Sequence, residues 1–270
     1  MYKTIFITGV SSGLGKATAK LFAKKGWTVI GTMRQPEREK EFTEFPNVHL
    51  LKLDLTDKKE ITLVAEKAEK ISPIDVLVNN AAYGLMGPFE GTTDDQLVGQ
   101  INTNFLGTLL VTKAFLPFFR KRKKGTILTI TSSTANIPYP FVAAYAATKS
   151  ALETWTEGMA YELKGFGLQI KTVVPAYMQT NFGKNAQLVH HPEYQEIFDG
   201  YLTSMKADSS AKRDTPESIA DVVHKAVTDH RIQLHYTAGE LSTTEYGWVQ
   251  RDGIEKVMDS MNQRFFGHNE

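Results

Sequence analysis

Three side chains whose types suit acid–base chemistry lie close together in the chain. Tyr145 and Lys149 are four residues apart, and Ser132 lies thirteen residues before the tyrosine. Residues at i and i+4 share one helix face, so an ammonium group can lie beside the phenol and favour its ionised form. Tyr145 would then act as a general acid or base, while the Ser132 hydroxyl group holds a carbonyl or alcohol oxygen. For the Tyr–Lys pair alone, a solvated helix face is the alternative interpretation.

A glycine-rich turn near the start of the chain predicts a nucleotide site. It reads Thr8-Gly9-Val10-Ser11-Ser12-Gly13-Leu14-Gly15 and follows the apolar run from Thr4 to Ile7. Glycines let the backbone turn sharply and approach a pyrophosphate, whose charge the amides at a helix N-terminus can bind. The spacing is G-x-x-x-G-x-G, and by itself it also fits an ordinary tight turn. Together with the three acid–base residues it favours a dinucleotide.

The elements that must position these residues alternate between strands and helices. Strand-like runs cover Thr4–Thr8, Thr28–Thr32, His49–Leu53, Asp75–Val78, Thr126–Thr131, Gln169–Val174 and, more weakly, Gln233–Thr237. Helical patterns fall between these runs, one starts at Pro216, and a last amphipathic one covers Ile254–Phe266. This alternation predicts an α/β fold: a doubly wound (Rossmann) parallel sheet of about seven strands with helices on both faces. Residues 1–270 contain no linker or repeat, so we expect a single domain.

In this order, the motifs resemble the short-chain dehydrogenase/reductase family over nearly the whole chain. The matching pieces are the Thr8–Gly15 turn, Asp54, Asn79-Asn80-Ala81-Ala82, Asn104, Ser132, Tyr145 with Lys149, and Pro175 to Thr180. Two positions differ, because the family usually has glycine at Ala82 and a Pro-Gly pair at Pro175-Ala176. Each difference adds one methyl group near the cofactor, which would narrow the nicotinamide pocket and leave every reacting group present.

The resemblance implies the site residues and a nicotinamide cofactor. The catalytic residues it implies are Asn104, Ser132, Tyr145 and Lys149, with Ser133 as the alternative to Ser132. Lys149 would also bind the nicotinamide ribose. Asn104 would hold a water that links Lys149 to solvent, unless it is only a turn or helix-start residue. The cofactor-binding residues would be Gly9, Ser11, Ser12, Gly13, Leu14, Gly15, Arg34, Asp54, Leu55, Asn80, Ala81, Ala82, Tyr145, Lys149, Pro175, Ala176, Met178 and Thr180.

The end of the second strand predicts which cofactor is preferred. An acidic residue about eighteen positions beyond the last glycine would bind both ribose hydroxyls and repel a 2′-phosphate. The chain has Thr32-Met33-Arg34 there, with no acid and one guanidinium group suited to a phosphate. We therefore expect NADP(H) to be favoured over NAD(H), with Ser11 and Ser12 as further donors. The alternative is that Arg34 only points to solvent. Asp54 is expected to contact the adenine edge, or else only to lie near a helix N-cap.

The segment 181–214 interrupts the alternation and follows the sixth strand, where open sheets bind ligands. We predict that it is a substrate lid, with a fixed helical insertion as the alternative. Its apolar residues suit a small hydrophobic carbonyl or alcohol substrate. Around it, residues that could line an apolar pocket or belong to the core are Tyr177, Met178, Phe182, Phe198 and Tyr201.

Composition narrows the function classes further. A net charge of +1 gives no field for nucleic acid, and the basic run 120–124 fits the cationic end of a helix. The chain has no cysteine, and His190-His191 lacks metal-ligand spacing, so we expect no metal site. No apolar run approaches the roughly 20 residues of a membrane span, and the first strand leaves no room for a signal peptide. We expect a cytoplasmic protein and, from the resemblance, a homodimer or homotetramer.

These observations predict an NAD(P)-dependent oxidoreductase that interconverts a ketone or aldehyde and an alcohol, with Tyr145 as the general acid/base. A related enzyme that reduces a carbon–carbon double bond or epimerises a sugar is one alternative. The other is a catalytically silent, cofactor-sensing binding protein of the same fold, which would not need the set Ser132, Tyr145 and Lys149.

Overall fold

The computed structural model of the protein describes residues 3–178, 186–207, 214–229 and 231–267. Its main sheet consists of seven parallel strands: β1 (Thr4–Thr8), β2 (Thr28–Met33), β3 (Val48–Lys52), β4 (Val76–Asn79), β6 (Gly125–Ile130), β7 (Leu168–Pro175) and β9 (His235–Ala238). Their order across the sheet is β3-β2-β1-β4-β6-β7-β9. A second sheet pairs two short parallel strands, β5 (Leu85–Met86) and β8 (Gln187–Leu188). The predicted strands are confirmed, with ends that differ by one or two residues.

Helices connect the strands and cover both faces of the sheet. They are α1 (Gly13–Lys24), α2 (Lys58–Ile71), α3 (Asp94–Ile101), α4 (Gly107–Arg122), α5 (Ala143–Lys164), α6 (Gln195–Ala207), α7 (Pro216–Thr228), α8 (Glu240–Glu245), α9 (Trp248–Asp252) and α10 (Ile254–Phe266). The predicted start of α7 and both predicted ends of α10 agree with the structure. Thr215 caps α7 by accepting a hydrogen bond from the amide of Ser218 at 3.1 Å.

The core consists of two apolar layers separated by the sheet. On one face, buried residues of α1 and α7 such as Phe22 and Val223 pack on the strands. On the other face α2, α4 and α5 contribute residues such as Val64, Phe115 and Leu163. Strands covered on both faces must be apolar on both faces, which explains their nearly continuous hydrophobic runs. The predicted doubly wound fold in a single domain is confirmed.

The basic run lies at the end of α4. Lys123 ends the helix with a left-handed backbone (φ +51°). The Arg122 guanidinium group binds the Glu69 carboxylate at 2.7 Å, and Lys124 binds Asp75 at 2.7 Å. The basic run therefore forms the C-terminal end of α4, as expected from the sequence. Among the described helices, none is long and apolar enough to cross a membrane.

The described part of the predicted lid, residues 186–207, contains β8 and α6 and is fixed at two places. β8 pairs with β5, directly beyond the motif that follows β4. Helix α6 packs against α10 and buries Phe198 and Tyr201, which are 0% and 1% exposed. This packing agrees with the alternative of a helical insertion, while its mobility stays a prediction. The rest of the predicted lid, including Phe182, lies in residues 181–185 and 208–213, outside the described residues.

Candidate active site

A cleft of about 920 Å³ opens at the carboxyl ends of the strands, where the glycine-rich turn and the acid–base residues meet. The chain leaves β1 towards one side of the sheet and β4 towards the other, and this reversal is where doubly wound sheets bind ligands. Predicted residues lining the cleft are Gly9, Ser11, Ser12, Gly13, Leu14, Gly15, Arg34, Asp54, Leu55, Asn80, Ala81, Ala82, Ser132, Tyr145, Lys149, Pro175, Ala176 and Met178. Asn104 lies behind the cleft wall, and Thr180 lies outside the described residues.

The glycine-rich turn leaves no room for side chains at two positions. Gly9 has a φ of +73°, and a Cβ atom there would lie 2.8 Å from the Cα of Ala81. A Cβ atom on Gly15 would lie 2.2 Å from the carbonyl oxygen of Gly9 and 2.4 Å from Nδ2 of Asn80. Because these positions are glycines, the start of α1 can pack closely against the turn. Residues 12–15 at the N-terminus of the helix then line the cleft. This cradle fits a pyrophosphate, because helix N-terminal amides bind anions.

Thr8 and Asn80 join the turn after β1 to the segment after β4. The amide of Asn80 and that of Ala81 both donate to the Thr8 hydroxyl oxygen at 3.0 Å. In return, the Asn80 side chain donates to the carbonyl oxygens of Thr8 at 2.9 Å and Gly9 at 3.0 Å. These four hydrogen bonds fix the nucleotide cradle to the central strands.

One basic and one acidic side chain lie at the outer end of the cleft. Arg34 follows β2 and is exposed, yet its side chain lines both the cleft and the adjoining cavity that Lys52 also lines. The Asp54 carboxylate accepts hydrogen bonds from the Thr56 amide at 2.9 Å and hydroxyl group at 2.7 Å. These bonds and the nearby Arg34 lower the pKa of Asp54. Asp57, not Asp54, is the N-cap residue of α2. Asp54 instead lines the wall of the cleft.

At the inner end, α5 and the residues after β6 bring the acid–base groups together. Ser132 is hydrogen-bonded to the Tyr145 hydroxyl group. Lys149 Nζ lies 5.7 Å from the centre of the tyrosine ring and donates to the Ile130 carbonyl oxygen at 2.8 Å. Ser133, the alternative serine, also lines the cleft, but the bond to Tyr145 is made by Ser132.

Burial controls the protonation of this pair. It raises the pKa of Tyr145 to about 12, and the hydrogen bond from Ser132 offsets only part of that rise. It lowers the pKa of Lys149 to about 8, against the influence of the Glu153 carboxylate. The sequence led to the expectation that Lys149 favours the ionised phenol, whereas in the structure desolvation of the phenolate is the largest effect and raises the pKa of Tyr145. At pH 7 Tyr145 is neutral, which is the form that donates a proton.

Asn104 lies in a π-helical turn, Asn102–Leu106, between α3 and α4. Its side chain is 1% exposed and binds the Tyr83 backbone at both ends, accepting from the amide at 3.1 Å and donating to the carbonyl oxygen at 2.9 Å. Its own carbonyl oxygen accepts a hydrogen bond from Thr108 at 3.0 Å. Single π turns often mark functional sites. The side chain therefore positions Tyr83 at the cleft wall, and the water-holding role of Asn104 stays a prediction.

Aromatic and sulfur-containing side chains line the inner end of the cleft. Of the residues considered from the sequence, Tyr177, Met178 and Tyr201 line it, whereas Phe198 belongs to the core beneath. Sequence reasoning did not identify four further lining residues, Tyr83, Met86, Tyr139 and Met205. The Tyr139 hydroxyl group donates to Glu245 at 2.6 Å, a contact between residues 106 positions apart. The only sign in the sequence that Tyr139 lines the cleft is its position six residues before Tyr145.

Comparison with known proteins gives a consistent result. Residues 3–189 match the family model described as short chain dehydrogenase. The 3-ketodihydrosphingosine reductase of Bacteroides thetaiotaomicron is 32% identical over 212 residues, 78% of this chain and 77% of that protein. A crystal structure of a short-chain dehydrogenase from Streptomyces avermitilis is 29% identical with a TM-score of 0.82, over 96% of this chain and 95% of that one. ElxO with NADP bound is 29% identical with a TM-score of 0.75, over 90% of this chain and 100% of that one.

Proposed function

The chain belongs to the short-chain dehydrogenase family and is an NAD(P)-dependent oxidoreductase, and we propose that it reduces a hydrophobic ketone or aldehyde to an alcohol with NADPH. The observation that carries the proposal is the buried Tyr145 hydroxyl group, bonded to Ser132 beside Lys149, in the same cleft as the glycine cradle. When bound, the nicotinamide supplies the hydride.

The side chains have separate tasks. Tyr145 and Ser132 bind the carbonyl oxygen of the substrate, and the neutral phenol, with its pKa near 12, transfers its proton to that oxygen. Ser132 stabilises the negative charge that develops there. Lys149 supplies positive charge behind the phenol and binds the cofactor ribose. The reverse reaction starts from the ionised form of Tyr145, which burial disfavours at neutral pH, so oxidation should need a higher pH than reduction.

Preference for NADPH is inferred from the charges after β2. No acidic side chain follows β2 before Glu37, and the guanidinium group of Arg34 faces the outer cavity together with Lys52. A phosphate at this end would meet a cavity lined by four cations and three carboxylates. The other two cations are Lys58 and Lys59, and the carboxylates are Asp54, Asp57 and Glu60. ElxO, 29% identical, binds NADP.

We predict that Arg34→Ala removes most of the preference for NADPH over NADH. A charge-assisted hydrogen bond contributes roughly 1.5–3 kcal/mol, so the affinity for NADPH should fall about ten- to a hundredfold. The affinity for NADH should change little, because it has no 2′-phosphate. Fluorescence titration of both cofactors measures this ratio.

Arg38→Ala is the matched control, since it removes the same charge four residues further along the exposed loop. This variant should keep the parental ratio of NADPH affinity to NADH affinity. Equal affinities for the two cofactors in the parent protein would rule out the phosphate role of Arg34.

The substrate class is inferred from the inner end of the cleft. Tyr139, Tyr177, Tyr201, Met86 and Met205 supply apolar surface there. A small hydrophobic carbonyl compound would bury this surface better than a sugar. The 3-ketodihydrosphingosine reductase relative also takes its name from a ketone. Purified protein should therefore oxidise NADPH in the presence of hydrophobic ketones, aldehydes or quinones and show little turnover with sugars.

The same panel tests the alternatives. Turnover of an enone to the saturated ketone, with saturated ketones left unreduced, would indicate a carbon–carbon double-bond reductase. Tight NADPH binding without turnover of any panel member would favour the cofactor-sensing protein.

We also predict that the lid closes over bound substrate. Residues 186–207 carry Tyr201 and Met205 into the cleft while β8 and α6 attach them to the rest of the molecule. Their amides should exchange hydrogen faster than those of β1 and β6, and NADPH with product alcohol should slow this exchange. Mass spectrometry of exchanging peptides measures both effects. Protection equal to that of the central strands and unchanged by ligands would show a fixed insertion instead.

A further inference from the structure

Glu153 is a buried carboxyl group that the mechanism above does not use. It is 6% exposed and stands on α5 four residues after Lys149 and eight after Tyr145. Side chains at this spacing project from one face of a helix. Burial of a carboxyl group costs free energy unless hydrogen bonds or opposite charge compensate for it, so its surroundings indicate its role.

Each oxygen of Glu153 accepts a hydrogen bond from the loop after β6. The Thr131 hydroxyl group donates to Oε1 at 2.8 Å, and Asn136 Nδ2 donates to Oε2 at 3.0 Å. Thr131 directly precedes Ser132, which caps the 3-10 turn Ser133–Ala135, and Asn136 directly follows this turn. Glu153 therefore attaches both ends of the loop that carries the catalytic serine to the helix that carries the tyrosine and lysine.

The last residue of β6 and the two that follow it are each bound by a different turn of α5. Ile130 accepts from Lys149, Thr131 donates to Glu153, and Ser132 is bonded to Tyr145. The distance between the serine and tyrosine hydroxyl groups thus depends on contacts one and two helical turns away. Errors of 1 Å in such positions can cost about a hundredfold in rate.

Glu153 also acts on the charge of Lys149. Its carboxylate opposes the effect of burial, which lowers the pKa of Lys149 to about 8. Burial raises the pKa of Glu153 itself, while the bonds from Thr131 and Asn136 lower it. The other titratable groups that influence or face Glu153 are Glu157 on α5, His235 on β9 and Tyr246 after α8.

We propose that Glu153 is a positioning residue for the acid–base set: it holds the Ser132 loop against α5 and keeps a negative charge one helical turn from Lys149. The proposal rests on the proposed function, in which Ser132 and protonated Lys149 support proton transfer by Tyr145. A purely structural carboxyl group would satisfy the two loop bonds and leave the titration of Lys149 unaffected.

The first test needs no substrate. Glu153→Gln removes the charge, and after rotation of the two amides it can still bond to Thr131 and Asn136. Carbon NMR of protein labelled at lysine Cε follows the titration of Lys149, whose signal is the one missing from Lys149→Met. We expect its midpoint to fall by about one pH unit, a tenfold change in proton affinity. Glu157→Gln, which removes an exposed carboxylate one turn further along, should shift it far less. An unchanged midpoint in Glu153→Gln would overturn the charge role.

The second test uses turnover of a carbonyl substrate. In Glu153→Gln, kcat/KM should match the parent near pH 6 and fall about tenfold below it near pH 9, because less Lys149 is protonated there. Thr131→Val keeps the charge and removes one anchor of the loop. It should lower kcat roughly three- to tenfold at every pH, the value of one hydrogen bond, and shift the Lys149 midpoint less than Glu153→Gln does. Parental kcat in Thr131→Val and Glu153→Ala, at equal melting temperature, would overturn the positioning role.

Failure of the proposed function gives a different pattern. A parent protein without carbonyl turnover, whose Lys149 midpoint still falls in Glu153→Gln, would retain the Glu153–Lys149 coupling and refute the reductase. A reductase whose Glu153→Gln variant keeps both the midpoint and the pH profile would refute the coupling alone.

Discussion

Replacing Tyr145 by phenylalanine is expected to lower kcat/KM for carbonyl reduction by about 10²–10⁴-fold, the range that positioned proton transfer supplies. The substitution removes one hydroxyl group and retains the ring, which packs with Ile137, Tyr139 and Val142. The glycine cradle lies at the other end of the cleft, so NADPH affinity should be nearly unchanged. Steady-state kinetics with NADPH and the best ketone of the panel, and a cofactor titration, measure the two quantities.

Tyr161→Phe provides the matched control, because it makes the same change on the same helix at a side chain that is 85% exposed. This control should keep parental kinetics. If Tyr145→Phe retained more than about a tenth of the activity, the proton would have another source and the assignment of Tyr145 would be wrong. Loss of NADPH binding in this variant would instead indicate damage to the cleft.

The fold was predictable because the central strands are covered on both faces. In β1 and β2, Ile5, Ile7 and Val29 belong to one apolar layer and Phe6 and Ile30 to the other, so successive residues are apolar whichever face they point to. Continuous apolar runs separated by helical patterns then admit few arrangements besides a parallel sheet. Strand ends differ by a residue or two because pairing, rather than hydrophobicity, determines where a strand stops.

The position of the cleft residues was predictable for a related reason. Gly9, Asn80, Ser132 and Pro175 all follow or end strands of one parallel sheet, and the carboxyl ends of such strands lie at one edge. Short motifs after four different strands therefore indicate one site. Their chemical roles remain proposals.

Properties that arise from long-range packing were not predictable. The pKa of Tyr145 depends on burial beneath a wall made by distant segments, and an i, i+4 spacing contains no information on desolvation. Tyr139 meets Glu245 only after the C-terminal helices fold over the cleft. The sequence places Glu153 on the same face of α5 as Tyr145 and Lys149. Its hydrogen-bond partners Thr131 and Asn136 could be identified only from the packing of α5 on β6.

Lys149→Met is expected to impair both cofactor binding and the chemical step, because we propose that the lysine takes part in both. Loss of a charge-assisted hydrogen bond to the ribose should weaken NADPH binding about ten- to a hundredfold. Loss of the cation behind the phenol should lower kcat by a further factor of roughly 10, so that kcat/KM falls about 10²–10³-fold in total. Methionine retains most of the buried volume, although the Ile130 carbonyl oxygen loses its donor. Lys164→Met, at the exposed end of the same helix, should leave both quantities unchanged.

The pH dependence separates the charge of Lys149 from its packing. Burial lowers the pKa of the ammonium group to about 8, so the protonated form predominates below pH 8 and is lost as the pH rises through that value. In the parent protein kcat/KM for reduction should therefore decline above about pH 8, while Tyr145, with a pKa near 12, remains protonated throughout this range. Lys149→Met has no such group, and its low residual rate should stay flat between pH 6 and pH 9. A parental profile that is flat over the same range, or a variant that keeps the alkaline decline, would show that the lysine charge does not support catalysis.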